Sequence, residues 1–159
     1  MSLFPIVSWN ARALARHSAN KFRLKREFFE KSFFKYDVVC IQEAHGTDAI
    51  FKKYMHPYLK SHDYFYSPGP DTATGGILTV VKMGLTNKCI SPPTFTAVQA
   101  GRLGFLTLPL SESCLFVWNV HNYDLKADAM HVASSTIKQQ TAAAQTVPLK
   151  RLSFFGGRL

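Results

Sequence analysis

The sequence predicts an α/β layered domain, built on mixed, largely antiparallel sheets with helices outside. Three observations carry that expectation. Short apolar runs of strand length alternate with longer amphipathic stretches. The middle of the chain then turns β-rich, with apolar runs set close together between Gly, Pro and Ser, as antiparallel hairpins require. The chain also has 159 residues, of which 47% are apolar and 13 are Phe, so one domain with a buried core is affordable.

Taken in order, residues 4–8 form a short buried strand, followed by a loop holding Asn10, Arg12 and Arg16. A helix is expected over residues 20–34. Phe22, Phe29 and Phe33 share one face, Leu24 and Phe28 extend it, and Arg23, Arg26, Glu27 and Glu30 fill the other side. Asn20 suits its N-cap. Residues 37–43 read as a strand ending in Gln42 and Glu43. Its unbroken apolar run, Val38 to Ile41, points to cover on both faces. A second helix, residues 48–55, is stopped by Pro57. Strands follow over residues 64–67, 77–82, 88–91, 95–99, 102–108 and 114–119, with a turn-rich loop from Pro68 to Gly76. An Ala-rich helix covers residues 127–145, ahead of Pro148. The apolar piece 152–155 is a last strand. No internal repeat is present.

The net charge of +9 favours polyanionic partners such as nucleic acid or anionic lipid, although a solvated basic surface gives the same count. Between Arg12 and Lys35 there are eight Lys or Arg against Glu27 and Glu30. Phosphate contacts by such residues give salt-dependent, sequence-independent affinity. The helix itself reads equally as an amphipathic helix with a basic polar face, so Arg12 and Arg16, close behind Asn10, are the better candidates. Cys40, Cys89 and Cys114 have no zinc spacing and sit in apolar, strand-like settings. They read as reduced core residues and favour an intracellular, nuclear or cytoplasmic location. No apolar run reaches about 18 residues, so no membrane span is expected. The first residues lack a basic n-region and read as a strand, not a secretion signal.

Three polar residues stand at strand ends: Asn10, Glu43 and His121. In layered α/β domains such positions gather at one sheet edge, where ligands bind. A carboxylate there suits Mg²⁺, and a histidine can serve as acid or base near neutral pH. Each also has a plainer use. Asn10 can cap a turn, Glu43 can be solvated, and His121 can be a hydrogen-bonded strand terminus.

The wording of the segments adds to this. Ser8-Trp9-Asn10 resembles the opening "TWN" or "SWN" of endonuclease/exonuclease/phosphatase domains. Residues 37–45, DVVCIQEAH, are similar to that family's "DVVCLQETH" strand. Residues 75–82, GGILTVVK, resemble "GGVAILVK", and Asn119-Val120-His121 resembles its "NVH" strand. The four occur in the family's order and cover residues 4 to 125. The resemblance implies a Mg²⁺-dependent (or Mn²⁺-dependent) phosphodiester hydrolase similar to retroelement or apurinic-type endonucleases. It implies that Asn10 and Glu43 belong to the metal site, that Glu43 ligates directly, and that His121 contacts the phosphate or assists the leaving group. A lipid or inositol-phosphate phosphodiesterase of the same fold is also compatible with His121.

The family's "GDFN"-like and "SDH"-like segments have no counterpart here, and Arg158 stands where the first aspartate is expected. The resemblance therefore implies part of a four-layered α/β sandwich, one domain over residues 1–159 with its second half missing. It implies an inactive copy or a non-catalytic nucleic-acid-binding remnant. Half a sandwich is expected to expose one inner sheet face, which a partner would have to cover.

Overall fold

Pro5 decides where the first strand begins. It has no N–H to give a ladder, and its carbonyl instead accepts from Asp37 N at 2.8 Å. The strand β1 is therefore Ile6–Asn10, shifted from the expected 4–8. Asn10 is its last residue rather than part of the following loop. This is a computed structural model, and it describes residues 4–14, 19–121, 127–145 and 150–156.

After β1 come α1 (Ala19–Lys35), β2 (Val38–Gln42), α2 (Asp48–Met55), a 3-10 turn (His56–Tyr58) and β3 (His62–Ser67). These are followed by β4 (Ile77–Lys82), the short α3 (Met83–Thr86), β5 (Thr94–Gln99), β6 (Leu103–Pro109) and β7 (Ser113–Val120). The last elements are α4 (Ala127–Gln145) and β8 (Lys150–Gly156). One sheet has the order β1-β2-β4-β3 and the other β5-β6-β7-β8. Each joins its strands antiparallel except for one parallel edge pair, β1 with β2 and β7 with β8.

Alternation along each strand sorts the side chains into layers. Val38, Cys40 and Val81 from the first sheet meet Leu106, Leu108, Leu115 and Val117 from the second. The opposite face of the first sheet, with Val39, Ile41, Leu78 and Val80, packs on Phe29 and Phe33 of α1 and Phe51 and Met55 of α2. The outer face of the second sheet, with Phe105, Trp118 and Val120, packs on Ala133 and Ile137 of α4. This is a four-layered α/β sandwich. All five residues of β2 are buried, as cover on both faces requires.

Several expectations need correction. The expected open inner face is not seen among the described residues: the inner faces of the two sheets pack on each other, because the chain supplies strands to both. Leu24 and Phe28 do not extend the buried face of α1; they are exposed, although Phe28 lies against Trp9 with ring centroids 4.7 Å apart. Asn20 lies inside α1 rather than capping it. Residues 88–91 are not a strand. Lys88 N and Cys89 N close turns onto Leu85 O and Thr86 O, and Cys89 forms only an isolated bridge to Leu110. All three cysteines are free, and burial pushes the Cys40 thiol up to about 12. Among the described residues, no helix is long and apolar enough to cross a membrane.

One contact fixes the relation of two hairpin ends beside the site described below. Gly101, between β5 and β6, has φ +63°, and its N–H donates to Ser67 Oγ at 3.0 Å. A Cβ there would lie 2.5 Å from Gly69 Cα and 2.7 Å from Pro68 O. Gly101→Ala combines an unfavourable φ with a backbone clash and should cost about 2–3 kcal/mol of stability. Urea denaturation checks this; an unchanged midpoint would show that the two loops do not pack this way.

Candidate active site

β1 and β2 are parallel, so their C-terminal ends share one sheet edge. Their register places Asn10 beside Gln42, and the chain then turns sharply at Glu43. Beyond the strands the ladder continues: Ala11 N donates to Gln42 O and Ala13 N to Glu43 O. On the other side of β2, Ala44 N and His45 N donate to Gly76 O and Gly75 O. Glu43 is thus held between two segments at the top of the sheet.

The backbone there is strained. Arg12, Ala13, Glu43 and His45 have φ of 44°, 70°, 49° and 54°, and they are the non-glycine residues at positive φ in the described chain. Such conformations cost on the order of 1–3 kcal/mol each and gather at functional sites. Here one of the four is Glu43 itself, Ala13 N bonds its carbonyl, Arg12 N bonds Asn10, and His45 Nε2 lies beside its carboxylate.

That carboxylate has three neighbours. Asn10 Nδ2 donates to Glu43 Oε1 at 3.0 Å. His121 Nε2 lies 3.1 Å from the same oxygen. His45 Nε2 lies 3.7 Å from Oε2. Burial raises the Glu43 pKa, but the Asn10 hydrogen bond and the two histidines outweigh it, and Glu43 is held below its usual range. Its side chain keeps 22% exposure, so a ligand can still reach it. His121 is almost fully buried. Burial, followed by the Arg102 charge, lowers its pKa against the opposing pull of Glu43.

Asn10 is turned by a second bond: its Oδ1 accepts from Arg12 N at 3.1 Å. The amide therefore gives its nitrogen to Glu43 and its oxygen to the loop, which is the placement of a residue that orients Glu43. Arg12 is exposed beside it. Lys25 of α1 reaches back to Arg12 O and Ala13 O, so part of the basic surplus is used to hold this loop. Arg16 lies outside the described residues.

Beneath the site runs a polar bridge that the sequence did not reveal. Asn119 is fully buried at the inner face of β7. Its Oδ1 accepts from Gln42 Nε2 at 2.8 Å. Its Nδ2 lies within hydrogen-bond distance of Ile41 O, Leu78 O and Thr79 Oγ1. Gln42 also bonds Ser8 Oγ. The bridge joins β1, β2, β4 and β7 directly under Glu43 and His121. His45 and Arg102 are further site residues without a strand-end signal of their own. Asn119 carried only its membership of the Asn119-Val120-His121 segment.

A divalent cation fits this donor set in one limited way. Mg²⁺ keeps several waters and is often held by one or two carboxylates plus substrate phosphate. Glu43 can supply one such carboxylate. Among the described residues, no cluster of three His, Cys, Asp or Glu could hold a metal by itself.

Solved structures with a similar fold exist. An AP endonuclease from Leishmania major matches with TM-score 0.58 and 15% identity, over 89% of this chain and 47% of that one. TDP2 from Caenorhabditis elegans matches with TM-score 0.63 and 15% identity, over 97% of this chain and 46% of that one. The chain has the endonuclease/exonuclease/phosphatase fold. A D. rerio TDP2 complexed with a single-strand DNA product also matches, with TM-score 0.54 and 14% identity, over 97% of this chain and 59% of that one. The chain thus spans about half the length of the first two structures. No protein-family model matches the sequence, and no curated protein matches it.

Proposed function

We propose that the chain carries the cation- and phosphate-contacting part of a phosphodiesterase site that acts on nucleic acid. The observation that carries this reading is Glu43: an ionised carboxylate at a strained strand end, oriented by Asn10, flanked by His121 and still open to solvent. Glu43 ligates the cation. Asn10 holds Glu43 in place, and His121 faces the phosphate. A bound Mg²⁺ would neutralise phosphate charge and stabilise the transition state of attack by water. Arg12, and Arg16 with it, contact the nucleic-acid backbone. The net charge of +9 supports a polyanionic substrate, and free cysteines agree with an intracellular setting.

A second reading, nucleic-acid binding without turnover, has its own support. Glu43 is the one carboxylate in the described cluster, and each neighbour of its side chain is a nitrogen. Among the described residues, no second acid is at hand there to take a proton from water. We therefore expect this 159-residue chain to bind DNA with an affinity that falls steeply with salt, yet to nick plasmid negligibly in Mg²⁺. Salt titration and a nicking assay against Glu43→Ala check both parts. A flat salt response would remove phosphate-driven binding. Robust nicking abolished by Glu43→Ala would show that the site turns over and would overturn the second reading.

A further inference from the structure

His121 sits between two groups of fixed hydrogen-bonding sense. On one side, Arg102 Nη1 lies 3.0 Å from His121 Nδ1. A guanidinium has five N–H donors and no acceptor, and it stays protonated in proteins. The nitrogen that faces it must accept, so Nδ1 carries no proton. Neutral imidazole has a single N–H, which therefore belongs to Nε2. On the other side, Nε2 lies 3.1 Å from Glu43 Oε1. An ionised carboxylate only accepts, so it requires a proton on the same nitrogen. The two contacts assign one tautomer independently.

The backbone keeps this arrangement in register. His121 N donates to Arg102 O at 2.7 Å. Arg102 N donates to Gln99 O, and Gly101 turns the chain at φ +63° against Ser67 and Gly69. Arg102 is thus carried on a tight turn tied directly to the strand end that bears His121.

We infer that Arg102 is a positioning residue that locks His121 in the neutral Nε2–H tautomer, so that Nε2 donates to Glu43 Oε1, or to a phosphate oxygen that takes the place of that contact, and does not accept a proton. The donor role toward phosphate rests on the phosphodiesterase reading above; the tautomer lock does not. It narrows the chemistry of His121. A neutral donor stabilises charge that develops on oxygen, while the proton of the attacking water must go elsewhere. Replacing the arginine by any group that accepts would release the lock.

The test is imidazole nitrogen NMR on the 15N-histidine-labelled chain at about pH 7.5, above the ordinary histidine range, without metal or nucleic acid. The His121 signals are identified by their loss in His121→Asn. In the wild type we expect a protonated Nε2 and a bare Nδ1. Arg102→Lys keeps a donor and should keep the pattern. Arg102→Glu puts an acceptor in its place and should move a proton onto Nδ1, which a merely structural arginine would not do. Should Arg102→Glu fail to fold, Arg102→Met in a Glu43→Ala background serves instead: Glu43→Ala alone should keep the wild-type ring pattern, because Arg102 still faces Nδ1, and the double variant should show an Nδ1–H form absent from the wild type. A protonated Nδ1 in the wild type, or an unchanged ring pattern in the folded acceptor or double variant, overturns the inference. Finding the lock in a chain that binds no DNA would support the tautomer and remove its phosphate role.

Discussion

Asn119→Ala is expected to lower the unfolding free energy by roughly 3 kcal/mol, a large part of the stability of an ordinary domain. The amide is fully buried and joins both sheets, through Gln42 Nε2 on one side and through Ile41 O, Leu78 O and Thr79 Oγ1 on the other. Its removal leaves Gln42 with one partner fewer and opens a gap in the inner layer beside Ile41 O, Leu78 O and Thr79 Oγ1. Asn119→Asp is similar in shape but places a charge facing two carbonyl oxygens, and should be at least as costly. Urea denaturation of both variants checks this. A change below about 1 kcal/mol for Asn119→Ala would show that the bridge is not a structural tie. His121 is two residues further on, so the same loss should also loosen the site.

Glu43→Asn is expected to remove divalent-cation binding while leaving the fold almost as stable. Glu43 occupies φ +49°, and asparagine tolerates the left-handed region better than glutamate does. That relief offsets the lost hydrogen bonds to Asn10 and His121, each worth about 1 kcal/mol. The net change in stability should therefore stay within about 1 kcal/mol. Calorimetric titration with Mn²⁺ should give heat saturating at one site in the wild type and none at that site in the variant. Equal binding by both proteins would move the cation away from Glu43.

Much of this fold was legible because the informative segments are strongly patterned. α2, β4 and α4 match their expected bounds, set by Pro57, by the turn-rich loop ending at Gly76, and by Ala-rich content ahead of Pro148. β2 reads as buried on both faces because four successive apolar residues allow no polar side. The misses share a cause: a linear pattern says which residues are apolar, not which layer they face. Leu24 and Phe28 fit the apolar stripe of α1, yet they stay exposed while Phe29 and Phe33 are buried against the sheet. Residues 88–91 have strand-like composition, but the short helix before them closes into turns. The open inner face was expected on the assumption that half a sandwich means one sheet; the chain instead gives four strands to each.

At the site, Asn10, Glu43 and His121 were legible as polar residues that end strands, and the structure places Asn10 and His121 each within hydrogen-bond distance of Glu43 Oε1. Arg102 was not. Its role depends on a turn that places a guanidinium against a ring nitrogen 19 residues further along the chain. His45 was legible only as the last residue of the DVVCIQEAH segment; its approach to Glu43 Oε2 comes with a turn in which both residues adopt positive φ, which sequence pattern does not reveal.

The central claim is that Glu43 couples a divalent cation to nucleic-acid phosphate. The most direct measurement is fluorescence anisotropy of a labelled single-stranded DNA oligonucleotide, titrated with wild type and Glu43→Asn in Mg²⁺ and in EDTA at equal ionic strength. Mg²⁺ should tighten binding to the wild type and leave binding to the variant unchanged. Equal weakening of both proteins by Mg²⁺, as plain charge screening produces, would contradict it.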